Sequence, residues 1–313
     1  MVKNGVLESR GSMILTKLED LIGITKSKVI VKLVVAAAED EHVLEAVKDA
    51  YQEGLITPVL IGNKEEILKI SKEIEFNIDE SWIIEEKNPV LSSKKAVELI
   101  KNKKADILMK GLVQTADFLR AVLGKDGIRK NGVLSHIGIF ESPFYHKLIG
   151  VTDAALNITP TLKEKAEIIK NGVELFKELG YDLPKVAVIG AVEVVNPKMQ
   201  ATVDAAMLTI MNKRGQIKDC IIDGPLALDN AVSKEAAMHK NIESEVAGDC
   251  DLLVAPYIEV GNVLYKSLNF IGGAKVAAVL MGATVPIVLT SRADSKESKF
   301  YSIALAAAMK RNH

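Results

Sequence analysis

Short unbroken apolar runs alternate along this chain with stretches in which apolar residues return every three or four positions. The run VIVKLVVAAA (29–38) predicts a buried strand. EDEHVLEAVKDAYQEG (39–54) predicts a helix with Val43, Leu44, Val47 and Tyr51 on one face and Gly54 at its end. TPVLIG (57–62), SWIIEE (81–86) and ADILMKG (105–111) read as further strands, separated by helical stretches at 64–73 and 92–101. Strands that alternate with helices in this way build a mostly parallel sheet with helices packed on its faces.

The second half repeats the style. HIGIFE (136–141), KLIGVTDAALNI (147–158), KVAVIGAVEVV (185–195), CIIDGPL (220–226) and DLLVAP (251–256) read as strands, and LKEKAEIIKNGVELFKELG (162–180) as a long amphipathic helix. Glycine and charge cluster in GKDGIRKNG (124–132), which marks a boundary. The expected organisation is two α/β domains, with residues 14–132 and 279–313 forming the first and 133–278 the second. The last strand (287–289) and an alanine-rich helix (298–310) return to the first domain, and a cleft lies between the two.

The length of 313 residues suits two such domains. A net charge of −1 gives no field for nucleic acid over the whole surface, and 4% aromatics leave little for stacking bases, so any anion site is local and its pocket aliphatic. Cys220 and Cys250 have no metal-ligand spacing and read as small core residues. No apolar run reaches the length of a membrane span and no signal-peptide pattern opens the chain, so the expected location is the cytoplasm. The polar opening MVKNGVLESRGS is expected to lie outside the fold.

Candidate chemistry gathers where strands run into helices. In open α/β sheets ligands sit beyond the carboxyl ends of the strands, and a helix start there offers free N–H groups to anions. PIVLTSRADSKESKF (286–300) is one such junction, carrying Ser291, Arg292 and Asp294 in its loop. A plainer reading makes Asp294 the N-cap of the last helix, with Glu297 closing a capping box. A second junction is KGLVQTADFLRAVLG (110–124), where Lys110 ends a strand, Thr115 caps the helix and Arg120 lies just over a turn in. The third is APYIEVGNVLYKSL (255–268), with Gly261 and Asn262 as a turn and Lys266 on the following helix. Two of the three carry an arginine, whose fork matches phosphate, so the set favours a substrate with several anionic groups. Neither a GxGxxG nor a GxxxxGK[ST] loop occurs. Asp223 and Asp229 follow a strand without the further ligands a magnesium site needs, and His136 reads as a structural strand histidine.

Taken in order, MKGLVQTADFLR, VEVVNPKM, DGPLALDNAVS, PYIEVGNVLYK and VPIVLTSRADS resemble the phosphate acetyl/butyryltransferase family over nearly the whole chain from about residue 28, with the wording of its butyryl branch. The resemblance implies the isocitrate/isopropylmalate dehydrogenase-like two-domain fold of the phosphotransacetylases. It also implies the reaction butanoyl-CoA + phosphate ⇌ butanoyl phosphate + CoA, with acetyl transfer as the alternative. CoA, acyl-CoA, phosphate and acyl phosphate are then the ligands, with no tightly bound cofactor and no metal. A homodimer or larger homo-oligomer and a functional link to an acyl (butyrate) kinase are further implications.

The same resemblance assigns roles. Ser291 donates a hydrogen bond to thiol or carbonyl, Arg292 binds anion, and Arg120, matching the arginine of Thr-Ala-Asp-x-x-Arg, grips phosphate. Gly261, Asn262 and Lys266 match Gly-Asn-x-x-x-Lys and are expected at the ligand, with Lys110 and Thr115. The acetyl branch carries its proposed base, an aspartate, seven residues after the motif serine; here that position is Ser298, with Glu297 beside it, so Asp294 is expected to replace it or share the task. Two rivals are a decarboxylating dehydrogenase, which needs metal-binding aspartates and a nicotinamide site, and a non-catalytic module, which would not need Ser291, Arg292 and Arg120 intact.

Overall fold

The apolar runs become strands because each fills both faces of a sheet, and the amphipathic stretches become the helices that cover them. The computed structural model describes residues 7–9, 12–26, 29–130, 132–290 and 294–309. The chain divides into two compact units, Leu21–Asn131 with Ala277–His313, and Met1–Asp20 with Gly132–Val276.

In the first of these the strand order is Lys275–Met281, which enters the unit at Ala277, then Ile287–Val288, Ile107–Lys110, Val31–Ala36, Ile56–Gly62, Ile83–Glu85. All pairings are parallel except Lys275–Met281 against Ile287–Val288. Leu33, Val34, Val35, Leu60, Ile107 and Leu108 are fully buried in its core. Helix starts follow local chemistry: the side chains of Asp40, Asn63 and Asn88 accept hydrogen bonds from the first turns of Glu41–Gln52, Lys64–Glu73 and Pro89–Lys101. The junction between Val31–Ala36 and its helix is closely fixed. Ala37 N–H donates to Ser92 Oγ at 2.7 Å and Ala38 N–H to Ile61 O at 3.0 Å.

In the second unit the order is Ile221–Leu226, Lys185–Ile189, Leu252–Val254, Ile149–Thr152, Ser135–Glu141, parallel apart from the last pair. The helix Leu162–Glu178 opens with a capping box between Thr161 and Glu164. A charge network holds together the chain that leads into three of these strands. Lys147, almost wholly buried, reaches Asp251 at 2.5 Å and Asp249 at 3.1 Å, while Lys185 and His146 reach Asp249 at 2.5 and 2.8 Å.

The sequence overestimates several elements. KLIGVTDAALNI keeps only Ile149–Thr152 as strand, because the Asp153 carboxylate accepts from the Ala155 and Leu156 N–H groups and turns the chain. KVAVIGAVEVV stops at Ile189, leaving Val194 and Val195 exposed. The strand Lys275–Met281 goes unread, and within the opening dozen residues Leu7–Ser9 pairs with Ser12–Ile14. Residues 14–20, expected with the first domain, group with the second unit: Leu15 N–H donates to Tyr181 Oη at 3.1 Å and Leu18 N–H to Glu141 at 2.8 Å.

Candidate functional site

The carboxyl ends of the parallel strands position the candidates, unit by unit. In the first unit Ala36 stands opposite Lys110, and Met109 opposite Val288, so the segments that follow all three strands leave from one edge of the sheet. Lys110 is buried, and its ammonium donates to Gly111 O at 3.1 Å and Val113 O at 3.2 Å. It therefore shapes the turn that leads into the next helix. Gly111 is required there, since a Cβ on it would lie 2.1 Å from Ala37 O.

The helix beyond is Thr115–Leu123. Thr115 is its first residue and not its cap; Gln114 holds that position without a side-chain bond. Arg120 is 72% exposed and pairs with Asp117 one turn earlier. An exposed pair of this kind contributes little to stability.

The last helix is Lys296–Ala308, two residues earlier than expected. Ser295 is its cap, its hydroxyl accepting from Ser298 N–H at 3.1 Å, so the capping box expected between Asp294 and Glu297 is not what starts it. Asp294 is half-buried, one residue before the cap, and its main-chain oxygen accepts from Lys299 Nζ at 2.6 Å. Ser291 and Arg292 lie outside the described residues.

In the second unit Gly261 and Asn262 are not a turn. They lie inside the helix Ile258–Lys266 and dock it on the end of the strand Ile149–Thr152. Asn262 Nδ2 donates to Ala154 O at 3.0 Å, and a Cβ on Gly261 would stand 2.1 Å from Asp153 O. Lys266 ends this helix and is exposed. Tyr257, at its start, has its ring 5.0 Å from Lys165 Nζ. Lys165 is buried and paired with Asp204 at 2.6 Å, and Gln200 donates to the second oxygen of that carboxylate at 2.8 Å. The pair is invisible in sequence, because a helical lysine and aspartate 39 residues apart carry no joint signal.

The remaining candidates take structural places. Asp223 accepts from Gly224 N–H, Asp229 pairs with Lys240 at 3.1 Å, and the His136 ring packs 5.4 Å from that of Tyr265. Burial pushes both thiols up to about 12, helped at Cys220 by the charge of Asp219, so neither is a nucleophile at neutral pH. No described helix is long and apolar enough to cross a membrane.

Comparison with known proteins agrees with the motif order. The family model for phosphate acetyl/butaryl transferases matches residues 18–95 and 84–307. A phosphate butyryltransferase of Clostridium acetobutylicum is 49% identical over 289 residues, 92% of this chain and 96% of the relative. A phosphate acetyltransferase of Thermotoga maritima is 46% identical over 284 residues, 88% of this chain and 94% of the relative. Among solved structures, a branched-chain phosphotransacylase from Enterococcus faecalis superposes with a TM-score of 0.79 at 35% identity, covering 91% of this chain and all of the other. With its motifs in order and the family model spanning both units, the chain belongs to the phosphate acetyl/butyryltransferase family and is a phosphate acyltransferase.

Proposed function

We propose that the chain transfers a butanoyl or similar short acyl group reversibly between CoA and inorganic phosphate. The observation that carries this reading is 49% identity to a phosphate butyryltransferase over 92% of the chain. The acetyl reading is supported by the 46% identity to a phosphate acetyltransferase, and one methylene in an apolar pocket is worth only about 1–3 kcal/mol of discrimination.

In the direction of thioester synthesis, the CoA sulfur attacks the carbonyl carbon of the acyl phosphate. The C–S bond forms, the C–O bond to phosphate breaks, and the thiol proton must be taken up. A thiol of pKa about 8.5 is a poor nucleophile until that proton leaves. Asp294, near the carboxyl edge of its sheet and not used as a helix cap, is assigned as the acceptor. Arg120, exposed on the helix that follows Lys110, grips the phosphate, with Ser291 and Arg292 as the motif donors at the reacting carbonyl and anion. Gly261, Asn262 and Lys266 are assigned to ligand contacts, with Lys110 and Thr115 shaping the phosphate side. The reaction balances without a redox group or a resident cofactor. A homo-oligomer, a cytoplasmic location and consumption of the acyl phosphate by an acyl kinase belong to the same proposal.

The test is phosphate-dependent thiol release from acetyl-, butanoyl- and isobutanoyl-CoA. Release that requires phosphate and favours four-carbon acyl groups is expected. Release without phosphate overturns the transferase reading, and preference for acetyl-CoA moves the assignment to the acetyl reading.

A further inference from the structure

Lys299 is an unusual place for a charge. It lies in the first turn of Lys296–Ala308 and is only 2% exposed. Backbone N–H groups already make that end of a helix positive, and a buried ammonium is costly unless it is paired. Pairing comes from outside the helix. Nζ donates to the main-chain oxygen of Asp294 at 2.6 Å; burial lowers the ammonium below the ordinary lysine value, and the carboxylates of Asp294 and Asp40 offset part of that.

Asp40 is held by the fold. Asp40 caps Glu41–Gln52, its Oδ1 accepting from Val43 N–H at 2.9 Å, and its own N–H donates to Ala38 O at 2.8 Å. Lys296, one turn before Lys299, pairs with Asp49 of that same helix at 3.0 Å and bridges the two helices. Among the described residues the charged groups around the site are Asp294 from the loop, Asp40 and Asp49 from the neighbouring helix, and Lys296 and Glu297 from its own turn; the adjoining strand Ile287–Val288 is apolar. A lysine that served packing alone would not need to end on the carbonyl of the residue assigned as proton acceptor.

We propose that Lys299 is a positioning residue for acyl transfer: its buried ammonium fixes the main chain at Asp294 and faces that carboxylate with a positive charge. The proposal rests on the reading of Asp294 as the acceptor of the CoA thiol proton. A carboxylate accepts a proton only in its ionised form, and the bond from Lys299 to the carbonyl sets where that side chain departs from the loop.

The experiment measures kcat, KM and the pH–rate profile of the full chain with butanoyl phosphate and CoA. For Lys299→Met we expect kcat to fall roughly tenfold or more, short of the ~10²–10⁴-fold loss from removing a general base, with KM for CoA unchanged. The acid limb should move toward higher pH, since the opposite charge is gone. Lys299→Arg keeps the cation and should restore the position of the limb. Asp40→Asn preserves the cap and leaves the ammonium to Asp294 alone, so its limb should move to lower pH. If Asp294→Asn loses the acid limb but Lys299→Met leaves it in place, the positioning role is wrong and the base stands. If Asp294→Asn retains the limb, the base reading fails and this proposal falls with it. Should Lys299→Met not fold, an unmoved limb in Asp40→Asn rejects the proposal.

Discussion

Gly261 stands so close to Asp153 that a Cβ on it would lie 2.1 Å from the carbonyl oxygen of that residue. The obstacle is backbone, which cannot rotate away, so Gly261→Ala must push the helix Ile258–Lys266 off the strand end and weaken the bond from Asn262 to Ala154. A loss of about 1–3 kcal/mol is expected from such overpacking, together with lower affinity for CoA, read by urea denaturation and by KM. Gly23, with nothing within 4 Å of its notional Cβ, is the control: Gly23→Ala should be stabilising by ~0.5–1 kcal/mol. Equal stability of the two variants would show that the close approach does not matter.

Arg120→Ala separates function from fold. The side chain is 72% exposed and paired only with Asp117 among the contacts described, so the urea midpoint should not move. Loss of one charged donor to a transferring phosphate is expected to cost about 2.7–4 kcal/mol of barrier, a hundredfold or more in turnover. Asp117→Asn should keep most activity, because the guanidinium remains. Normal turnover in Arg120→Ala removes the arginine from the site.

Much of this was legible in the sequence, for reasons that differ from element to element. The alternation of strand and helix shows because periods of two and 3.6 are local properties, and Lys64–Glu73 appears with the bounds its pattern indicates. Membership of the family shows because its motifs are contiguous. Other features depend on distant partners and leave no local trace. DSKES offers two good caps in succession, and the structure starts the helix from Ser295 where the sequence alone favours Asp294. Gly261 and Asn262 look like a turn until Asp153 and Ala154 are brought beneath them. Lys299 carries no signal of burial in the sequence, and it is buried where its helix packs on Glu41–Gln52.

Asp294 and Ser298 compete for the position of the base. Asp294 lies before the cap, whereas the N–H of Ser298 is engaged by Ser295 and its main-chain oxygen accepts from Ser302 Oγ at 2.6 Å. A side chain at 298 therefore sits within the first helical turn, and a serine there cannot act as a carboxylate base. Asp294→Asn should lower kcat by ~10²–10⁴-fold and remove the acid limb of the pH–rate profile, while Ser298→Ala keeps both. The opposite pattern would return the role to position 298.

The Lys147 network should set the acid stability of the second unit. Burial alone would raise the Asp249 carboxyl, but hydrogen bonds from Lys185, His146 and Lys147, with the charge of Lys147, hold it well below the usual carboxylate range. Asp251, which is buried, goes the other way: burial raises it although Lys147 lies 2.5 Å off. A depressed carboxylate stabilises the fold above its unfolded pKa, about 3.9, and that contribution is lost as pH falls further. Wild-type stability should therefore drop between pH 5 and pH 3 by more than that of Asp249→Asn, which has no such proton to bind. Lys147→Met leaves the buried Asp251 carboxylate without its cation, while Asp249 keeps Lys185 and His146, and should cost about 3–5 kcal/mol at pH 7 by urea denaturation. A loss below ~1 kcal/mol would mean that the ion pairs only offset their own desolvation, and that the strands are held by their apolar contacts instead.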